Sequence, residues 1–222
     1  MTWKQLFTSS IGKKILMALT GFFLIIYLIV HAAINALIFA NDGGETFNKA
    51  AYFMLHNYII RFLEIGLFAV FVLHIIQGLL LWKQNKAARN ISYEKKNYPK
   101  EIKWYSRYMG WLGTFVLLFL VMHLYQFWAH TKDELYFHGP IINLYGQMKV
   151  IFTNPVWFVL YMIGLASLLF HLLQGFQSAF QTFGINHRRW IYIIKGIGVV
   201  YSLVICLLFA SMPIAFMVGW LQ

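Results

Sequence analysis

Charge is the scarcest ingredient of this chain. Only 11% of its 222 residues are Asp, Glu, Lys or Arg, where a soluble domain carries about 25%. So little charge excludes the solvated surface of an ordinary globular protein. No H-x-x-x-H or H-E-x-x-H cluster occurs, so a non-haem metal centre is not expected. Cysteine occurs once, at Cys206. That excludes an internal disulfide, a set of cluster-binding thiolates and the C-x-x-C-H pattern of covalent haem attachment. Lying inside an apolar run, Cys206 reads as a small packing residue. No soluble catalytic site and no flavin-binding motif can be found.

Apolar residues fill the space that charge leaves. They make up 60% of the chain, with aromatics at 19%, and they come in unbroken runs. Residues 15–40 hold no formal charge, 62–82 hold Glu64 alone, and 108–131, 156–180 and 196–222 hold none. About 20 mostly apolar residues are enough for a helix to cross the hydrocarbon layer of a bilayer. The expectation is an all-α integral membrane bundle of five transmembrane helices, at about 15–40, 58–82, 108–131, 155–180 and 191–218, with residues 1–222 forming one domain. Pro155 suits the first turn of the fourth helix, and Pro213 is expected to kink the end of the fifth. The first run is too long for a signal peptide and has no small-residue cleavage site, so it reads as a retained helix.

The net charge of +11 follows topology, so nucleic acid is not an expected partner. Lys4, Lys13 and Lys14 precede the first helix. Lys83, Lys86, Arg89, Lys95, Lys96, Lys100, Lys103 and Arg107 fall between the second and third. Arg188, Arg189 and Lys195 surround the turn before the fifth. In a five-helix bundle these 14 of the 18 basic residues share one side. Lys49, Arg61, Lys132 and Lys149 share the other with Asp42, Glu45, Asp133 and Glu134. By the positive-inside rule the N-terminus is cytoplasmic and the C-terminus outside. The 83–107 loop also carries enough charge to meet a partner or anionic headgroups. Residues 41–57 and 132–154 read as outer loops with interfacial aromatics.

A repeat runs through the first four helices. GFFLIIYLIVH ends at His31 and GTFVLLFLVMH at His123, 92 residues later; HIIQG starts at His74 and HLLQG at His171, 97 residues later. Four of the eight histidines therefore lie deep in apolar helices, one in each; His56, His130, His138 and His187 lie at helix ends or in loops. Ionisable groups at such depth are costly and usually functional. A rise of about 1.5 Å per residue puts His31 roughly 24 Å and His123 roughly 22 Å along their outward-running helices. His74 and His171 fall late in helices that run inward. The four sort into an outer pair, His31 with His123, and an inner pair, His74 with His171. Two histidines facing each other at one level suit the two axial positions of a haem iron. A polar network or a proton path between helices is the alternative. Gly78 and Gly175, one turn beyond the inner histidines, would let a flat macrocycle approach the backbone, and Gly21 and Gly113 would relieve crowding near the inner site. Packing between membrane helices would also account for all four glycines.

With its N-terminal SSIGKKILMALTG (residues 9–21), its five helices and one histidine in each of the first four, the chain resembles over its whole length the cytochrome b membrane-anchor subunit of succinate dehydrogenase and fumarate reductase, in the single-chain, di-haem bacterial form. The resemblance implies two non-covalent haem b groups: His74 and His171 at the proximal iron, His31 and His123 at the distal iron. It also implies a bacterial cytoplasmic-membrane location, flavoprotein and iron–sulfur subunits on the cytoplasmic face, and electron transfer to or from a quinone, menaquinone in this form, on the outer side. As the one acid within a helix, Glu64 is the candidate for quinone or proton chemistry, with Arg61 as its possible neutraliser and Asn35, His56 and Trp128 nearby. Cations such as Lys13, Lys14, Lys83 and Arg188 are candidates for haem propionates or the partner subunit. Two readings compete: the anchor of another quinone-linked dehydrogenase or hydrogenase, and a haem-free transporter or scaffold.

Overall fold

The computed structural model of the chain describes residues 9–87, 103–139, 143–185 and 187–221. Lys4, Arg89, Lys95, Lys96 and Lys100 lie outside the described residues. Helices make the whole architecture, with no strand among the described residues. α1 spans Ser10–Ala36 and ends in a 3₁₀ turn, Leu37–Ala40; α2 spans Glu45–His56 and α3 Tyr58–Ala87. α4 is a single turn, Trp104–Arg107, before α5, Met109–His123. From α5 the chain continues through a π-helical turn, Leu124–Ala129, into α6, His130–Asp133, and a second π turn, Glu134–His138. α7 spans Leu144–Thr153, α8 Pro155–Thr182 and α9 Arg188–Met217. Five helical spans are long and apolar enough to cross a membrane: Ser10–Ala40, Tyr58–Ala87, Met109–Phe137, Pro155–Thr182 and Arg189–Met217.

Side chains set several of the boundaries. Ser9 accepts the N–H of Gly12 through its hydroxyl at 3.0 Å, satisfying one of the orphan donors at the start of α1. Asn154 accepts from Val156 N–H at 2.9 Å and Trp157 N–H at 3.3 Å, with Pro155 in the first turn behind it. α9 runs on through Pro213, which is fully buried.

Two segments expected as outer loops are partly helical. Residues 45–56 form α2, and residues 132–154 hold the end of α6, the second π turn and α7. The two short helices are tied together: Asn48 donates to the Asn143 side chain at 3.0 Å, and Tyr145 N–H donates to Asn48 at 3.0 Å. Phe47, Tyr145, Met148, Ile151 and Phe152 from them join Tyr161, Met212 and Phe216 in one buried cluster. They cap the end of the bundle nearer His31 and His123. Gly44 starts α2 with a φ of +86°, and a Cβ there would overlap the Tyr145 ring, so the corner requires glycine.

α1, α3, α5 and α8 form a ring in that order, in which neighbours pack and diagonal partners share little or no backbone contact. α9 lies outside the ring against α8 and α1. The α3–α5 contact is the lightest in the ring, and the α5–α8 contact is close because Gly164 admits the Phe119 ring. The outward faces are apolar: Phe62 is 76% and Ile65 71% exposed in the isolated chain, as lipid-facing residues are.

A Cβ at Gly164 would sit 2.2 Å from the Phe119 ring. Gly164→Ala is expected to cost about 1–3 kcal/mol through overpacking. Its thermal unfolding in detergent, followed against wild type, checks this.

Candidate functional site

Each diagonal of the ring carries one histidine pair. His31 on α1 and His123 on α5 have ring centres 5.9 Å apart with planes at 85°; His74 on α3 and His171 on α8 are 6.3 Å apart with planes at 66°. The pairing expected from depth along the helices is therefore the pairing that the fold brings together. Among the described residues no hydrogen bond links the members of either pair, and no carboxylate is bonded to any of the four.

The spacing can be set against metal ligation. A metal–imidazole bond is about 2.0 Å, and the ring centre lies about 1.1 Å beyond the nitrogen, so two imidazoles trans across one metal have centres about 6.2 Å apart. Both observed separations fall close to that distance. Among the described residues no three His, Cys, Asp or Glu side chains gather into a metal site. Two protein donors per site suit a macrocycle that brings the other four itself.

The imidazole nitrogens are held in different ways. Thr20 Oγ1 lies 3.1 Å from His74 Nδ1 and makes its own donation back to α1, with Leu16 O at 2.9 Å and Met17 O at 3.1 Å. The Asn35 amide lies 3.3 Å from His31 Nδ1. Tyr161 OH lies 3.5 Å from His123 Nδ1 and donates to Gln126 Oε1 at 2.9 Å, and the backbone of Gln126 is in turn bonded by Gln147 from the cap helix α7. His171 Nδ1 is buried and has no hydrogen-bond partner among the described residues. Aromatic rings complete the outer site: Tyr27 stacks on His31 at 5.4 Å, and Phe119 on His123 at 5.8 Å.

The repeat survives in three dimensions. Gly21 faces His74 Cε1, and Gly113 faces His171 Cε1, each at 3.6 Å from where a Cβ would sit. These two glycines border the inner histidines, as expected. Gly78 and Gly175 face methionine methyl groups, Met17 at 3.2 Å and Met109 at 3.8 Å, so packing accounts for them in this structure. Met17 and Met109 are themselves 92 residues apart, matching the repeat.

Glu64 sits in the second turn of α3, half-buried, in a polar cluster at the outer end. Trp128 Nε1–H donates to it at 2.5 Å, Lys132 Nζ approaches to 2.9 Å, and Arg61 lies at 3.4 Å. Arg61 also donates to Leu55 O at 2.8 Å. Lys132, expected only as a loop cation, is thus the nearer counter-charge. Trp128 joins the cluster as expected, Asn35 sits instead at His31, and His56 stays apart, stacked on Tyr52. Phe68 and Phe71 lie one and two turns along α3 on the same stripe as Glu64. Phe68 meets Trp128, and Phe71 meets the Tyr27 that stacks on His31. One aromatic contact thus leads from the carboxylate cluster and another from His31 to positions three residues apart on α3.

Sequence reasoning missed Tyr161, Lys132 and Thr20. Tyr161 and Lys132 meet their partners across 38 and 68 residues, which no local pattern marks. Thr20 had a signal: it is the one hydroxyl residue between Ile15 and Gly21 and is flanked by the repeat glycine.

Comparison with known proteins adds one relative: the chain is 28% identical over 169 residues to the succinate dehydrogenase cytochrome b558 subunit of Bacillus subtilis (strain 168), covering 72% of this chain and 73% of that one. No family model and no solved structure matches it. This protein is thus similar, over nearly three quarters of its length, to a succinate dehydrogenase cytochrome b subunit.

Proposed function

We propose that this chain is the di-haem cytochrome b anchor of a bacterial succinate:quinone oxidoreductase, the membrane part of respiratory complex II. The observation that carries it is the pair of diagonal imidazole couples, each at the separation two trans ligands of one metal require. The similarity to the succinate dehydrogenase cytochrome b558 subunit supports the same reading. A haem-free proton path or helix bridge fits less well. Thr20–His74 and Tyr161–His123 do link helices, but neither imidazole couple is bonded within itself, and among the described residues His171 Nδ1 has no hydrogen-bond partner.

In this reading His74 and His171 hold the proximal haem iron, and His31 and His123 the distal one. Held by two imidazoles, such a haem would supply one-electron transfer. The protein's own work is to fix four imidazoles on rigid helices, to keep water out and to set the two sites in line across the bilayer. Thr20, Asn35 and Tyr161 orient three of the rings, and the α2–α7 cap shields the outer site. Lys13, Lys14, Lys83, Lys86, Arg107, Arg189 and Lys195 fall at one end of the bundle, which by charge is the cytoplasmic side. There the iron–sulfur subunit would dock, beneath the flavoprotein.

Quinone reduction or quinol oxidation moves protons with electrons, so its site needs a group that exchanges them. Glu64 fills that role: it lies at the outer end, within reach of lipid, and two cations hold the carboxylate in place. Trp128 and Lys132 are the donors that would position a quinone oxygen beside it. The quinone of this reading is menaquinone, and the reaction runs with either succinate oxidation or fumarate reduction.

Two results test the proposal. Purified protein is expected to bind two low-spin haems per chain, counted from the reduced-minus-oxidised spectrum and the pyridine complex. His31→Ala or His123→Ala removes one of them and His74→Ala or His171→Ala the other; a chain without haem, from cells able to supply it, sinks the reading. In the assembled complex Glu64→Gln is expected to lower quinone-linked turnover about 100-fold, the range for a lost proton-transfer group. Both haems stay in place, and succinate oxidation with an artificial acceptor at the soluble subunits is unchanged.

A further inference from the structure

The inner histidines occupy equivalent places in the repeat, yet their surroundings differ at one atom. Each ring edge rests against a glycine, Gly21 for His74 and Gly113 for His171. The residue before Gly21 is Thr20, and the residue before Gly113 is Leu112. Thr20 is 5% exposed and its hydroxyl lies 3.1 Å from His74 Nδ1. Leu112 has no polar atom to offer, and Thr114, the other neighbour of Gly113, donates back to Gly110 O at 3.0 Å. His171 Nδ1 is left buried and unpartnered.

The direction of the Thr20 bond is set by its other contacts. Its single hydroxyl hydrogen has carbonyl acceptors one turn earlier in α1, Leu16 O at 2.9 Å and Met17 O at 3.1 Å. The oxygen therefore presents a lone pair to His74, and His74 Nδ1 must be the donor. That leaves His74 Nε2 as the nitrogen with a free lone pair. A metal-bound histidine needs this arrangement, since its second N–H, given to an acceptor, fixes the tautomer and raises the basicity of the ligating nitrogen.

We propose that Thr20 is a positioning residue for the inner site: it holds His74 as the Nδ1–H tautomer and makes it the stronger donor of an unsymmetrical ligand pair, with His171 the weaker. The inference rests on the haem reading above and extends it to a residue outside the ligand set. A more basic axial ligand favours the oxidised metal, so the Thr20 hydroxyl lowers the midpoint potential of the inner haem.

The test is a potentiometric titration of the full complex carrying Thr20→Val, which keeps the shape of the side chain and removes the hydroxyl. The inner haem, identified as the one missing from His74→Ala, is expected to shift to a more positive potential while the outer haem stays where it was. Thr20→Ser, which keeps the hydroxyl, is expected to titrate as wild type. If valine prevents assembly, Thr20→Ala makes the same deletion. Unmoved potentials, or a serine variant that shifts as far as valine, overturn the positioning role while the two-haem reading stands. A wild-type chain without two haems overturns both.

Discussion

An imidazole in an apolar interior has two nitrogens to satisfy and no water with which to do it. Burying a polar group without a partner costs on the order of 1–3 kcal/mol in proteins, and this chain buries four such rings in a bundle with almost no charge. Much of the architecture answers that constraint. The ring of α1, α3, α5 and α8 spaces its diagonals so that the rings face each other without bonding. Thr20, Asn35 and Tyr161 each place a polar atom near one imidazole nitrogen, at 3.1, 3.3 and 3.5 Å respectively. In the haem reading, the nitrogens that remain would take a ligand the protein does not itself supply.

The two ends of the bundle solve different problems. The inner site is built from close approach, with glycines against ring edges and methionine tips filling the next turn. Aromatic stacking and a polar chain leading to the cap dominate the outer site. Next to the outer site the bundle interior borders a charged cluster, where Glu64 and Arg61 of α3 meet Lys132 of α6 beside the lightly packed α3–α5 seam. In the proposed function, chemistry that needs protons would sit at that end and the opposite end would carry electrons.

Much of this was legible before any coordinates. Apolar runs without charge specify spans because only a helix satisfies the backbone in lipid. Depth pairs the histidines because rise per residue is fixed. What escaped was whatever depends on the shape of the surface or on long-range neighbours. α2 and α7 are short and of mixed polarity, and Gly43, Gly44 and Asn143 beside them carry the signature of loops, so their role as a cap emerges only from packing on Tyr161 and Phe216. Lys132 looked like a loop cation because the π turn that brings it back to Glu64 has no mark in the sequence. The glycines divided evenly: Gly21 and Gly113 border histidines, whereas Gly78 and Gly175 serve methionines.

Gly21 and His31 are ten residues apart on one helix, and Gly113 and His123 are ten apart on another. Since each glycine touches an inner histidine and each histidine belongs to the outer pair, both helices act as rulers of about 15 Å between the two levels. A ruler wound as a helix cannot be lengthened gradually. One added residue would extend it by only about 1.5 Å but swing the outer histidine by roughly 100°, out of the bundle and towards lipid. The distance between the two sites is therefore quantised in whole turns, and the duplicated interval ties the two helices to change in step or not at all.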